Sequence, residues 1–102
     1  MKIGLIICVP NLHTLKSYDW SEEKDIWLKR NRGIGFKEIL FYLSEPGHLL
    51  DDAANPNHPT QRIYVLDINS YIYLVPYVED AKKIFLKTIY PSRKMTKHYL
   101  KH

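Results

Sequence analysis

The sequence contains a single cysteine, Cys8, among its 102 residues. One cysteine can form neither an internal disulfide nor a cysteine-based zinc site. Cys8 stands in an apolar run, where a lone cysteine is usually a packed core residue, and such usage fits a reducing cytoplasm. The five histidines are scattered, and none has a second ligand at the helical or hairpin spacing of a metal site. We therefore predict a cytoplasmic protein with no metal and no other cofactor.

Long hydrophobic runs are also missing. The apolar stretch at residues 3–9 is broken by Pro10 and is too short to cross a bilayer, so we expect no membrane partner. We interpret it as a strand or an ordered N-terminal extension. No internal repeat or low-complexity tract is present. A chain of 102 residues with 45% hydrophobic content is long enough for one packed domain, residues 1–102, and too short for two ordinary ones.

Acidic residues are absent from the last fifth of the chain. No Asp or Glu follows Asp80, whereas seven basic residues do: Lys82, Lys83, Lys87, Arg93, Lys94, Lys97 and Lys101. The whole chain has 15 Lys and Arg against 11 Asp and Glu, a net charge of +4 at pH 7. This balance permits either nucleic acid or an acidic protein as a partner.

Two helices are predicted in the first half. Ser21 is a good N-cap, acidic residues follow it, basic residues come in the last turn, and Gly33 ends the helix. A second helix starts near Phe36 and is stopped by Pro46 and Gly47. Four of its apolar residues recur at helical spacing and are predicted core residues: Phe36, Ile39, Leu40 and Leu43.

The second half is typical of a β-meander. Residues 51–60 are dense in Asp, Asn and Pro and are predicted to form a loop. Residues 62–68, 71–78 and 83–90 are rich in Val, Ile, Tyr and Phe, which favours strands. The short links between them imply antiparallel pairing. Pro76 indicates an edge position or a bulge near the end of the middle strand.

A basic helix is predicted at the C-terminus. Ser92 is a good N-cap, and Met95 and Tyr99 give the segment one apolar stripe. Arg93 and Lys94 occupy the first turn, where cations oppose the helix dipole at a cost of about 0.3–1 kcal/mol each. Two cations placed at this cost in free energy indicate a binding role. Together with the N–H groups at the start of the helix, they would suit a phosphate. The alternative is a solvated basic face or a dock for an acidic partner.

Two matches together resemble the BrnT-like toxins of bacterial type II toxin–antitoxin pairs. YDWS at residues 18–21, followed by Lys24 and by RGIGF at residues 32–36, is similar to that family's aromatic-acid-Trp-Asp, helical Lys and His-Gly-Val-x-Phe pattern. IYPSRK at residues 89–94 is similar to its final Ile-Ser-Ala-Arg before a basic helix. The likeness covers residues 18–100 in order and leaves an N-terminal extension, residues 1–17, outside it.

This chain departs from the family pattern at two places in the first helix. Asn31 and Arg32 stand where the family usually has Lys-His, and Leu28 stands where it commonly has Asn. The resemblance implies an α+β fold of the RelE/BrnT-like type, with two N-terminal helices, an antiparallel meander of three to four strands and a C-terminal basic helix. It also implies an endoribonuclease that is inhibited by a cognate antitoxin protein.

Metal-free RNA cleavage requires a base, an acid and cations around the phosphorane-like transition state. We assign these roles by residue type: phosphate and transition-state charge to Arg93 and Lys94, with Lys24 and Arg32 as a second pair, and proton transfer to His58, His98 or Glu79. Each has a plainer alternative, such as a surface ion pair or an antitoxin contact. Trp20 is expected to be a core anchor. The second function that the sequence allows is a noncatalytic module that binds RNA or an acidic protein through the C-terminal basic face.

Overall fold

A computed structural model describes residues 5–8 and 15–100 of the chain. These residues form three helices and one seven-stranded sheet. In chain order the elements are β1 (Leu5–Cys8), β2 (Leu15–Trp20), α1 (Glu22–Arg32), α2 (Phe36–Ser44), β3 (Leu49–Ala54), β4 (Arg62–Ile68), β5 (Tyr71–Glu79), β6 (Lys83–Leu86), β7 (Tyr90–Pro91) and α3 (Arg93–Tyr99). The predicted α+β class is confirmed, and the first apolar run contains a strand. Lys101 lies outside the described residues.

Local sequence signals set the ends of the helices. The Ser21 hydroxyl accepts a hydrogen bond from the Lys24 N–H at 3.2 Å, which is the expected N-cap contact. Gly33 adopts a left-handed conformation with φ 71°, and its N–H donates to the Lys29 carbonyl at 3.2 Å. Glycine takes this conformation without the steric penalty of a Cβ atom. Both predicted N-terminal helices are confirmed.

The sheet has the order β1-β2-β6-β5-β4-β3, and the short β7 also pairs with β5. Strands β4, β5 and β6 pair antiparallel, which confirms the predicted meander. Strand β2 pairs parallel with β6, so the described sheet is mixed. Two helices and three strands lie between β2 and β6 in the chain, which provides the long connection that a parallel pair requires. The contact is long-range, so no local pattern indicates it.

The prediction of a loop over residues 51–60 is wrong for its first part, because β3 runs to Ala54 and pairs with β4. The two aspartates that favoured a loop have donors on neighbouring elements. Asp52 accepts hydrogen bonds from the Tyr77 hydroxyl at 2.7 and 2.8 Å and forms an ion pair with Arg62 at 3.0 Å. Asp51 accepts from the Tyr99 hydroxyl at 2.9 Å. These tertiary contacts outweigh the low strand propensity of aspartate.

The last predicted strand, residues 83–90, is broken in the structure. Strand β6 ends at Leu86, and the chain resumes pairing with β5 only at β7. In the gap, the Lys87 N–H donates to the Pro76 carbonyl at 2.8 Å. Pro76 is buried in an interior strand, so the first predicted alternative, an edge position, is wrong. The second, an irregularity near the end of the strand, fits the register, because three positions from Leu74 to Tyr77 face four from Leu86 to Tyr90. It lies where the neighbour of β5 changes from β6 to β7, at a point where a missing N–H is tolerated.

The two faces of the sheet pack against different helices. Alternate residues of β4 point to opposite sides, with Tyr64 and Leu66 in one core cluster and Ile63 and Val65 in another. The first cluster contains the buried residues of α1 and α2, including all four predicted core residues of α2. Trp20 is buried there and stacks on Phe36 with ring centroids 5.6 Å apart, as predicted. Helix α3 covers the second cluster.

Candidate functional site

Helix α3 separates its residues into an inward and an outward side. Met95, Thr96 and Tyr99 are partly buried towards the sheet. The outward side, which we call the α3 basic face, consists of four exposed residues: Arg93, Lys94, Lys97 and His98. No residue of α3 is acidic, so this face carries positive charge without a carboxylate from its own helix.

Two side-chain hydrogen bonds, one between Thr96 and Ile72 and one between Tyr99 and Asp51, hold α3 on the sheet, and two more lie within the helix and its cap. The Thr96 hydroxyl accepts from the Ile72 N–H at 2.9 Å and donates to the Ser92 carbonyl at 2.7 Å. The Ser92 side chain caps the helix by accepting from the Met95 N–H at 3.1 Å. Tyr99 donates to Asp51, and this bond to a carboxylate raises the pKa of the phenol. These contacts fix which side of α3 faces solvent.

The spacing on α3 brings a cation and an imidazole together. Lys94 and His98 are four residues apart, which places their Cβ atoms about 5–6 Å apart on one side of a helix. Arg93 and Lys97 have the same spacing. The His98 ring contacts Tyr99 edge to face at 4.9 Å. Among the seven predicted site residues, Arg93, Lys94 and His98 therefore share one exposed surface.

Lys24 and Arg32, the second predicted pair, meet on an aromatic ring. The Lys24 Nζ lies 4.8 Å from the centre of the Trp27 ring, and the Arg32 guanidinium carbon lies 5.0 Å from it. Both distances are within the range of cation–π attraction. Arg32 also donates a hydrogen bond to the Ile89 carbonyl oxygen. The pair thus comes together, and Arg32 links the end of α1 to the segment that precedes α3.

Trp27 is the residue of this surface that sequence reasoning missed. It lies three positions after Lys24 in α1, so the helical repeat places the two on one side. That spacing, together with a large aromatic residue outside the apolar stripe, was the available signal. Trp27 is 44% exposed. Phe41, on α2, is also an exposed aromatic residue, at 57%, so exposure alone does not single out Trp27. Trp27 differs in having two cations over its ring.

Glu79 lies far from α3. It forms an ion pair with Lys16, whose Nζ also donates to the Asp80 carbonyl at 3.0 Å. Ile72, whose carbonyl accepts the Ser92 N–H at 2.9 Å, marks the point on β5 where α3 begins. Glu79 lies seven positions after Ile72, which is about 23 Å along a strand. The structure therefore does not bring this carboxylate to the basic face.

His58 lies in the exposed loop between β3 and β4. Its N–H donates to the Asn55 carbonyl at 3.3 Å, and its carbonyl accepts from the Gln61 N–H at 2.9 Å. The loop leads into Arg62, which pairs with Tyr77, so it joins the sheet near the Glu79 end of β5. Of the three proton-transfer candidates, only His98 shares a surface with Arg93 and Lys94.

A row of buried tyrosines connects β2, β4 and β5. The Tyr18 and Tyr64 hydroxyl oxygens are 3.4 Å apart, and the Tyr64 and Tyr77 rings stack at 4.1 Å. Burial is the largest cause of the raised pKa of all three phenols. They stay protonated at neutral pH, so we interpret this row as part of the packing rather than as a source of protons.

Within residues 5–8 and 15–100, no group of three His, Cys, Asp or Glu side chains is placed to hold a metal ion. Of the three helices described above, none is both long enough and apolar enough to cross a membrane. Comparison of the chain with protein-family models, with curated proteins and with solved structures finds no match. The case for a function therefore depends on the surfaces themselves and on the motif resemblance.

Proposed function

We propose that this protein is a metal-independent endoribonuclease toxin of the BrnT-like kind and that the α3 basic face binds the RNA phosphate. The observation that carries the proposal is the outward side of α3, where every exposed residue is basic or an imidazole and no carboxylate interrupts them. Clustered Lys and Arg on one helix side are the usual electrostatic footprint of nucleic-acid binding. The motif resemblance supplies the reaction class.

The proposed chemistry is attack of a ribose 2′-oxygen on the adjacent phosphorus. A base takes the 2′-hydroxyl proton, the bond between phosphorus and the 5′-oxygen breaks, and an acid gives that oxygen a proton. The product ends in a 2′,3′-cyclic phosphate. Arg93 and Lys94 stabilise the charge that develops on the phosphate oxygens. His98 is the proton-transfer group of this proposal, because imidazole is the side chain that most often serves as a general acid or base and His98 shares their surface.

The proposal includes a protein partner. A cognate antitoxin would cover the α3 basic face with acidic or aromatic groups, since opposite charges guide and orient such complexes. Antitoxin and RNA would then compete for Arg93, Lys94 and Lys97. The two ligands are therefore expected to exclude each other in a binding assay.

The test is cleavage of total RNA by purified protein in EDTA. We expect the wild type to release fragments with 2′,3′-cyclic phosphate ends and Arg93→Ala to release none. Arg30→Ala is the matched control, because Arg30 is also an exposed arginine on a helix but lies on α1. Circular dichroism of each variant checks folding. Normal cleavage by Arg93→Ala would show that the site assignment is wrong.

The second candidate is a noncatalytic module that binds RNA or an acidic protein. It is favoured by the distance between Glu79 and the start of α3, which leaves His98 as the one proton-transfer candidate placed beside Arg93 and Lys94. Such a module would bind intact RNA with a steep salt dependence and release no cyclic phosphate. Bound but uncleaved RNA would select this candidate over the nuclease.

A further inference from the structure

We propose that Trp27 is a stacking platform for an unpaired base of single-stranded RNA, with Lys24 and Arg32 beside the base. This inference rests on the proposed function, because it takes RNA as the ligand, and it adds a second contact outside α3. Aromatic side chains flanked by cations are the general means by which proteins bind single strands with little sequence preference.

The cleft around Trp27 has the size and lining for one base. It is a shallow depression of about 330 Å³ lined by Ser21, Glu23, Lys24 and Trp27. Trp27 remains 44% exposed although two cations lie over its ring, so aromatic surface is left for a ligand. Glu23 offsets the charge of Lys24 within the cleft, and Arg32 lies outside this lining, over the Trp27 ring. Stacking is therefore the main expected interaction, with electrostatics secondary.

The position of Arg32 connects this cleft to the α3 basic face. Its hydrogen bond to the Ile89 carbonyl places the guanidinium four residues before Arg93. Four extended residues reach at most about 14 Å, and the ring centre of Trp27 lies 5.0 Å from the Arg32 guanidinium. With about 3 Å for the hydrogen bond and a similar length for the bonds on either side of it, Trp27 is within about 25 Å of the start of α3. This is roughly seven nucleotides at the about 3.4 Å rise of a stacked strand. Because α1 and α3 lie on opposite faces of the sheet, an RNA that contacts both surfaces passes around the edge of the sheet.

An acidic protein is the less favoured ligand for the cleft. An acidic peptide would be repelled by Glu23 and would gain nothing from an aromatic ring. A nucleic-acid base is uncharged and has a π face, so it suits a cleft in which Lys24 and Glu23 offset each other. The geometry therefore points to a base rather than to a carboxylate.

The experiment measures binding of a labelled eight-nucleotide 2′-O-methyl RNA by fluorescence anisotropy at about 50 and 200 mM salt. The 2′-O-methyl group removes the attacking hydroxyl, so cleavage does not disturb the titration. We expect Trp27→Ala to weaken binding by about 5- to 150-fold, the range for loss of one stacked base, and by a similar factor at both salt concentrations. Trp27→Phe should keep most of the affinity, and Trp27→Leu should not.

Three controls separate this inference from the proposed function. Phe41→Ala removes another exposed aromatic residue, on α2, and should leave binding unchanged. The double variant Arg93→Gln/Lys94→Gln should weaken binding by a factor that shrinks as salt rises, because it removes phosphate contacts. An abasic oligonucleotide of equal length should bind the wild type and Trp27→Ala equally.

The outcomes are distinct. If Trp27→Ala binds within twofold of the wild type while the α3 double variant is weakened, the inference is wrong and the proposed function stands. If the wild type does not bind the RNA at all, both are wrong. If Trp27→Ala loses affinity for poly-glutamate but not for RNA, the cleft belongs to a protein partner and the inference is also overturned.

Discussion

The two faces of the sheet differ in how much they bury. Among residues 16–100, whose burial the structure describes, the α1 and α2 face has sixteen buried residues in its core cluster, whereas the α3 face has four, joined by partly exposed side chains of residues 90–100. Polar contacts from Thr96 and Tyr99 supplement the thin core of the second face. The first face therefore carries most of the stability, and the second presents a helix whose outward side is available for binding. Elements with few buried contacts are also those that open locally most easily.

The largest expected loss of stability comes from a change in the core of the α1 and α2 face. Phe36→Ala removes a fully buried ring that stacks on Trp20, and we expect it to lower the free energy of unfolding by about 3–5 kcal/mol. Urea denaturation measures the change. Phe41→Ala, which truncates a side chain that is 57% exposed, should cost less than about 0.5 kcal/mol. Equal losses in the two variants would contradict the assignment of the core.

The second-largest expected loss of stability concerns the hydrogen bond between α1 and the start of α2. The Asp25 carboxylate is buried, accepts from the Phe36 N–H at 2.8 Å and pairs with Lys29 at 3.1 Å. Asp25→Ala leaves that N–H without a partner, so we expect a loss of about 1–3 kcal/mol. Asp25→Asn keeps an acceptor oxygen and should lose less. Thermal unfolding of the pair measures this, and a larger loss in Asp25→Asn would rule out the hydrogen bond as the cause.

A smaller effect loosens the second face. Thr96→Val keeps the shape of the side chain but removes the acceptor of the Ile72 N–H, and we expect a loss of about 1 kcal/mol. Hydrogen exchange should quicken in α3 while the amides of α1 stay protected. Thr60→Val, in the exposed loop, is the control. Equal quickening in both helices would show that the two faces open together.

The smallest expected effect concerns the turn between β5 and β6. Strand β5 has buried residues in both core clusters. The Asp80 carboxylate accepts from the Lys82 and Lys83 N–H groups, each at 2.8 Å, and these bonds lower its pKa in the folded state. Its stabilising contribution is therefore full above the unfolded-state pKa and is lost as pH falls through the lower folded-state value. Melting temperatures of the wild type and Asp80→Asn should converge in acid; a constant gap would contradict this linkage.

Much of the fold was predictable because its signals are local. Ser21, Gly33 and Ser92 mark helix ends through contacts within a few residues, and the short links between β4, β5 and β6 imply their antiparallel pairing. Strand β3 was missed because the partners that satisfy Asp51 and Asp52 lie on α3, β4 and β5. The break after Leu86 was missed because β-branched residues continue through it. Local propensity does not show that the neighbouring strand is interrupted opposite Pro76.

The candidate site was also predictable only in part. Residue type and the motif resemblance selected Arg93, Lys94 and His98 as candidates, and the structure places them on one exposed surface. The same reasoning selected Glu79 and His58, which lie towards the other end of β5. Whether two distant residues meet depends on strand register and on where the chain turns. Trp27 was overlooked because its exposure is a property of packing.

The sequence by itself determined the helices, their caps, the antiparallel meander and the unopposed positive charge of the C-terminal segment, since each depends on interactions between residues near one another in the chain. The tertiary structure alone decided the parallel pairing of β2 with β6, the placement of α3 on the face opposite α1 and α2, and the meeting of Lys24 and Arg32 on Trp27. Those features depend on which apolar surfaces are buried together, and burial is settled only when the whole chain has packed.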